Sequence, residues 1–352
     1  MDKEKFNDLL NKYKKDALSK EEEALFEREL DKYEAYQDFL DEESENDIKK
    51  TISKSPNNNH MKSLNKGKRK AIISNALMTI SLILMILPIC TVFSFIYYGY
   101  GIADSRGNNF IQVAADTISV TEPNASIDFQ NIRTSVGLFS MEAHFDIYKQ
   151  IGKKQEYIRT DRLTLFLNEV DQPERLKDSN HPKFTHPGNP SVSTYHTVNQ
   201  YLHNLPDGTV SEIYVSLDTF YSEEEIKDLF SDIDLEILWY AVNTGIVDDP
   251  NYMAIGYPAV DGDINSSFSS KEENGKQFIE VLNNLSKYQA WTETITKNKS
   301  LNINEIKKFI DENGIGIYGV VVTGPTKELL KLNEIPAVTN QYIGGVELWN
   351  WQ

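Results

Sequence analysis

The rhythm of apolar and polar positions changes sharply along the chain. Near the start, Phe6, Leu9, Leu10, Tyr13 and Ala17 fall at helical spacing. After a break at "LSKEE", a second apolar stripe runs through Phe26, Leu30, Tyr33 and Leu40. Ser19 followed by Glu22 is a capping-box pattern and predicts the start of that second helix. Residues 46–65, "NDIKKTISKSPNNNHMKSLN", are polar and predict a flexible tether. From residue 71 to residue 103 the next 33 residues carry no charge. Crossing a hydrocarbon core of ~30 Å takes roughly 20 apolar residues at ~1.5 Å rise each. The run therefore predicts a transmembrane helix over residues 71–98. A buried core helix is the alternative, but such helices normally break their apolar run with a polar face, and this one does not.

Beyond the span the pattern shortens. From Asn108 to about Leu167 the runs "FIQVAADTISV", "SIDFQNI", "MEAHFDIYKQI" and "RLTLFLNEV" alternate between turn signals such as "EPN" and "IGKK". They predict a strand-rich subdomain over residues 105–205, with a loop-like, proline-containing stretch from 171 to a "PDG" turn. Residues 206–352 read differently. "VSEIYVSL" and "IDLEILWYAV" are strands flanking "YSEEEIKDLF", a short helix with Ser222 and Glu225 as capping box. "KQFIEVLNNLSKY" and "NINEIKKFIDENG" are helices, the latter capped by Asn302 and stopped by Gly314. Strand "IYGVVVT", helix "TKELLKLN" and strand "GGVELWNW" follow. The first and last parts are each strand–helix–strand, consistent with two related halves of one sheet. The fold class is mixed α+β: a helical hairpin over residues 1–45, a linker over 46–70, one transmembrane helix, the strand-rich subdomain, and an α/β domain with strand–helix–strand units.

Charge assigns the sides of the membrane. Lys62, Lys66, Lys68, Arg69 and Lys70 crowd the N-terminal flank, and Arg106 alone lies close on the other. The positive-inside rule puts the N-terminus in the cytoplasm and the C-terminus outside. Lys66, Lys68, Arg69 and Lys70 are the topology-setting residues, and Tyr97, Tyr98 and Tyr100 fit an outer aromatic belt. A cleaved signal peptide fits poorly, because about 70 residues precede a run that is too long for one. The chain's net charge of −17 argues against direct binding to nucleic acid. Residues 1–45 hold eight basic and 16 acidic residues. Two short helices this acidic either form a solvated anchor or dock on a basic partner. Cys90, the only cysteine, lies in the span, so cysteine-based zinc sites and exterior disulfides are excluded.

Candidate chemistry outside is sparse. "GIGIYG" matches a dinucleotide-loop spelling, but it follows a helix and opens a strand, the reverse of what the site requires. "TGPTK" lacks Walker spacing, and Thr326 reads as a helix cap. His181, His186, His196 and His203 share one region, as a metal or pH site or simply as a polar loop. Trp239, Trp291, Trp349 and Trp351 are core residues or a sugar-binding face. No nucleophile elbow or zincin motif is present, although a paired-carboxylate site stays open.

Three stretches carry a family resemblance. They are "ALSKEEEALFERELDKY" before the basic patch and span, "ISVTEPNASIDFQNIRTSVGLFSMEAHFDIYKQIG" just after it, and the C-terminal "SEIYVSLDTFYSEEEIKDLF", "EILWYAVNTG", "GIYGVVVTGPTKELLKL" and "GGVELWNW". The chain resembles the transmembrane sigma-factor regulators, zinc-free anti-sigma proteins with paired N- and C-terminal regulator regions. The resemblance implies that the cytoplasmic segment holds an extracytoplasmic-function sigma factor inactive and releases it on an envelope signal sensed outside. On that reading Phe6, Leu9, Leu10, Tyr13, Phe26, Leu30 and Tyr33 supply buried contacts, while Glu21, Glu22, Glu23 and Asp41–Glu43 steer the encounter. Packing within the hairpin is the rival role for each apolar residue. A small membrane protein is a candidate co-regulator, membrane lipid surrounds the span, and no cofactor or catalytic residue is implied. An anchored cell-wall enzyme, or a receptor or scaffold with another cytoplasmic client, is the alternative.

Overall fold

The computed structural model describes residues 12–13, 19, 21–28, 31–32, 58–99, 101–102, 104–171, 184–188, 195–246, 253–259, 266–268 and 274–351. Two compact units emerge, Met1–Ile80 and Ser81–Gln352. In the first, residues 12–13, 21–28 and 31–32 are helical.

Helix α1, Asn58–Tyr98, runs unbroken through Pro88. Its segment Asn65–Tyr98 is long and apolar enough to cross a membrane. Within it Met78, Leu82–Leu87, Val92, Phe93 and Ile96 are exposed, as lipid-facing side chains are. Thr79, Thr91 and Ser94 donate their hydroxyls to the carbonyls four residues back, at Asn75, Leu87 and Cys90. Those polar atoms are satisfied within the helix and demand no partner span.

Helix α2, Arg106–Thr121, overturns the strand expected at "FIQVAADTISV". Ser105 caps it, its Oγ accepting from the Asn108 amide. Phe110, Val113, Ala114 and Ile118 recur at helical spacing and are buried, but so are most of their neighbours, which hides the period.

The first sheet is antiparallel. Strands β1 (Ala125–Ile127) and β2 (Arg133–Val136) both pair with β3 (Ser140–Ile151), β3 pairs with β4 (Lys154–Phe166), and β4 with β5 (Glu169–Asp171). The alternation in "MEAHFDIYKQI" is realised, since Met141, Ala143, Phe145 and Ile147 all point into the core shared with α2. Arg159 on β4 fixes the end of α2, reaching Glu122 at 2.6 Å and Asp161 at 2.8 Å.

Helix α3, Tyr195–Asn204, lies inside the stretch read as loop. The second sheet contains β6 (Thr209–Tyr221), β7 (Glu236–Val242), β8 (Ile255–Pro258), β9 (Ile317–Pro325) and β10 (Val338–Leu348), in spatial order β10-β6-β9-β7-β8. Every neighbouring pair is antiparallel. Helix α4, Glu223–Leu229, connects β6 to β7. Helices α5 (Asn274–Lys287), α6 (Gln289–Thr296) and α7 (Ile303–Asn313) precede β9, and the short α8, Thr326–Leu329, leads to β10.

The two strand–helix–strand units are therefore interleaved rather than side by side. β9 separates β6 from β7, and β6 separates β9 from β10, which is the split βαβ arrangement. This corrects the expected α/β character: no parallel neighbours occur among the described strands. Both faces of the central strands are covered. Ile213, Val215, Tyr240, Val320 and Val322 meet Phe278, Leu282, Ile306 and Ile310 from the helices. On the other face Phe184 packs with Tyr214, Trp239 and Tyr318. The expected caps at Ser222–Glu225, Asn302 and Gly314 are all present. Thr326 is not a cap. Pro325 takes that position, and the Thr326 hydroxyl joins those of Thr209 and Ser211 in a buried cluster.

Candidate functional site

Among the described residues near the N-terminus, an aromatic pair and an ion pair bring the two helical stretches together. The Tyr13 and Phe26 rings lie 5.0 Å apart, and Phe26 is only 2% exposed. Lys12 Nζ reaches Glu22 Oε1 at 2.8 Å. The capping box forms as the sequence predicts, with Ser19 Oγ accepting from the Glu22 amide and Glu22 Oε2 accepting from the Ser19 amide. The Lys12 hydrogen bond, with the Ser19 backbone and hydroxyl, holds the Glu22 carboxyl down at about 2. Tyr13, Phe26 and Glu22 thus hold the hairpin together. Glu21, Glu23, Glu27 and Leu25 face solvent, Leu25 at 36% exposure. Leu25 lies off the Phe26 stripe and was not among the expected contacts. Phe6, Leu9, Leu10, Leu30, Tyr33 and Asp41–Glu43 lie outside the described residues. Lys66, Lys68, Arg69 and Lys70 are all exposed on α1.

The other end of α1 is clasped by the first sheet. Tyr98 is fully buried; its hydroxyl lies 2.7 Å from Phe139 O and 3.1 Å from Leu165 O, and accepts from the Leu167 amide at 2.9 Å. Ser94 Oγ accepts from the Phe139 amide at 2.9 Å. The Arg106 guanidinium lies 4.6 Å from the centre of the Tyr97 ring and donates to Asn168 at 2.7 Å. Gly107 fits closely here, since a Cβ would come 3.0 Å from Tyr98 O and 2.9 Å from Met141 Sδ.

The two sheets are joined by a polar seam. Asn124 Nδ2 donates to Glu212 at 2.7 Å, the Gly152 amide to Thr323 Oγ1 at 2.7 Å, and Lys153 Nζ pairs with Glu236 at 2.7 Å. Beside it opens a cleft of about 680 Å³ lined by Asn124, Tyr148, Gln150, Gln155 and Glu236 among others. Its polar groups largely pair with one another, as Gln150 does with Glu236, which suits a structural joint better than a reacting centre.

Among the candidate ligands, His186 hydrogen-bonds Asn243 at 3.2 Å and packs on Tyr318, and its Nδ1 accepts from the Gly188 amide. His181 lies outside the described residues, and no group of three or more His, Cys, Asp or Glu placed to hold a metal occurs among the described ones. Trp239 and Trp291 are buried with their indole N–H groups donating to Ser119 O and Asn168 O. Trp349 is exposed, and Trp351 donates to Asp234.

Comparison with known proteins fits this layout. Residues 61–156, from the basic flank of α1 into β4, match the family described as sigma factor regulator N-terminal. Residues 202–345, carrying the second sheet, match sigma factor regulator C-terminal. The chain is 36% identical over 359 residues to the probable anti-sigma-M factor YhdL of Bacillus subtilis (strain 168), covering 99% of both chains. No solved structure matches. A long apolar helix leading into the two regulator regions, together with a full-length anti-sigma relative, makes this chain a member of the sigma factor regulator family of membrane-anchored anti-sigma factors.

Proposed function

We propose that residues 1–45 bind an extracytoplasmic-function sigma factor on the cytoplasmic side, that α1 holds the complex at the membrane, and that the C-terminal unit senses envelope state outside. The relative is named for sigma-M, and by that likeness the client here is the counterpart of that factor. Lys66, Lys68, Arg69 and Lys70 support the inward orientation of the N-terminus. The role is regulatory rather than catalytic.

The observation that carries the reading is the second hairpin helix. Its Phe26 is spent on Tyr13, while Leu25 and the carboxylates of Glu21, Glu23 and Glu27 remain exposed. Glu21 and Leu25 stand one turn apart beside Arg28, and Glu23 and Glu27 stand one turn apart across the helix, so the exposed surface offers an apolar anchor among mostly acidic groups. A basic sigma-factor surface suits that face, and charge would accelerate the encounter. Tyr13 and Phe26 act by holding the hairpin shape.

The test uses the full chain in its own membrane with the client sigma factor expressed. Leu25→Asp is expected to raise transcription from the client's promoters. Glu21→Lys combined with Glu23→Lys is expected to slow association and remove most of its salt dependence. Normal repression by both variants would sink the assignment of this face.

A further inference from the structure

Two turns of the first sheet carry large apolar side chains where turns are normally polar. Leu138 and Phe139 connect β2 to β3, and Phe166 ends β4 where Leu167 begins the turn to β5; Leu138 is 45% exposed and Phe166 50%. The turns are neighbours, the Leu167 amide donating to Phe139 O at 3.1 Å. Phe139 and Leu167 both sit at positive φ, 56° and 54°. Bulky side chains there are costly, and Gly or Asn would occupy the same conformation with less strain. The fold thus keeps apolar side chains at positions where backbone preference alone would replace them.

Their location supplies the reason. Tyr98 at the end of the membrane helix hydrogen-bonds both turns, and Ser94 holds Phe139. The uncharged run begins at residue 71. About 20 helical residues cross the hydrocarbon, so its far boundary falls near residue 90, and Ser94 lies about one turn beyond. The backbone of Phe139 is therefore held within the interfacial layer. Tyr97, with Arg106 over its ring, and the exposed Ile102 continue the same apolar-to-basic border.

We infer that Leu138, Phe139, Phe166 and Leu167 form a lipid-facing collar that seats the first sheet in the membrane interface around the exit of α1. The occupant is the lipid itself, met at the level of the headgroups and the first acyl carbons. The collar makes the sheet's attachment a surface contact as well as a tether, and it adds apolar burial at the point where the helix leaves the bilayer.

The test uses the full chain in phosphatidylcholine nanodiscs. In a Cys90→Ser background, Leu138→Cys and, separately, Phe166→Cys carry a polarity-sensitive fluorophore, with Tyr201→Cys as an exposed control on α3. Two positions guard against one variant failing to fold, and intrinsic tryptophan emission checks each. The collar predicts blue-shifted emission at 138 and 166, several-fold stronger quenching by doxyl lipid than at 201, and protection from aqueous iodide. Iodide quenching equal to that at 201, with no doxyl effect, overturns it. So does disulfide cross-linking of the unlabelled 138 or 166 variant to a second copy on addition of a copper–phenanthroline oxidant, because a protein would then cover the collar.

Discussion

Replacing Asp116 with asparagine probes the heart of the second unit. Asp116 lies on α2 and is 2% exposed. Gln112 Nε2 donates to its Oδ1 at 2.9 Å and to Ser267 Oγ at 2.7 Å. Oδ2 has no hydrogen-bond partner among the described residues. Burial raises the carboxyl from 3.8 to about 6, and the nearby Ser267, Gln112 and Asn284 pull it back only in part. An unfolded chain would hold the same group near its ordinary value of about 3.9. The folded state therefore keeps this proton to higher pH than the unfolded state does. The group's contribution to stability is complete below about pH 4, falls as pH rises through about 6, and is constant above that. Some two units at about 1.36 kcal/mol each give a loss of about 3 kcal/mol across that window. The substituted amide keeps a carbonyl for Gln112 and removes the charge. Urea unfolding of the detergent-solubilised chain, followed by tryptophan emission, reads the effect cleanly, because all four tryptophans lie beyond the span. The stability of Asp116→Asn relative to the unsubstituted chain should grow by up to about 3 kcal/mol between pH 4 and pH 7. A difference that stays flat, or shrinks, refutes the argument.

Three further outcomes follow from the geometry. Tyr98→Phe removes the hydroxyl shared by both collar turns while the Leu167 amide keeps Phe139 O, so it should cost about 0.5–1.5 kcal/mol in the same unfolding assay. Gly256→Ala should destabilise the second sheet by about 1–3 kcal/mol or more, since its Cβ would press on Tyr240 O and lie 2.6 Å from the Trp239 ring; a Tm matching that of the parent would contradict that. Ser19→Ala deletes one half of the hairpin's capping box at a cost of about 1 kcal/mol, visible as faster amide exchange across residues 21–28 and as weaker sigma binding without loss of its salt dependence.

Much of the architecture was readable where one force acts alone. The long uncharged run names the span, because nothing else about it competes with burial in lipid. Ser222, Asn302 and Gly314 mark helix ends because capping is a local hydrogen-bond problem solved within a few residues. "MEAHFDIYKQI" alternates because only one face of β3 meets the core. The reading failed at α2 for the opposite reason. That helix is enclosed by the first sheet, α5, α6 and β8, so its polar face is buried too, and Asp116, Thr117, Ser119 and Thr121 sit inside. A segment covered on all sides loses its period, and β-branched residues then look like strand. Interleaving of the two strand–helix–strand units was also out of reach, since the choice of β9 as neighbour to both β6 and β7 depends on packing between distant segments. In the hairpin, periodicity found Tyr13 and Phe26 but could not say whether they face each other or a client. Their rings meet, and among the described residues Leu25 is exposed beside them, as Tyr13 is in part.

The β3–β4 hairpin touches the exit of α1 at one tip and the second sheet at the other. β3 alone has 12 residues, a reach of about 36 Å at ~3.3 Å per residue. At the far tip, Gly152 and Lys153 engage Thr323, Asn350 and Glu236; at the near tip, Phe139 engages Ser94 and Tyr98. The hairpin is thus a girder, and load applied to the second sheet travels to the membrane helix along a ladder of backbone bonds rather than through loose chain. The ladder is regular except where Ile147 pairs with Arg159 and Tyr148 with Tyr157, leaving Ile158 as one extra residue. That bulge is the girder's wrist, and stiffening or loosening Ile158 would alter how faithfully movement of the second sheet becomes movement at the membrane helix.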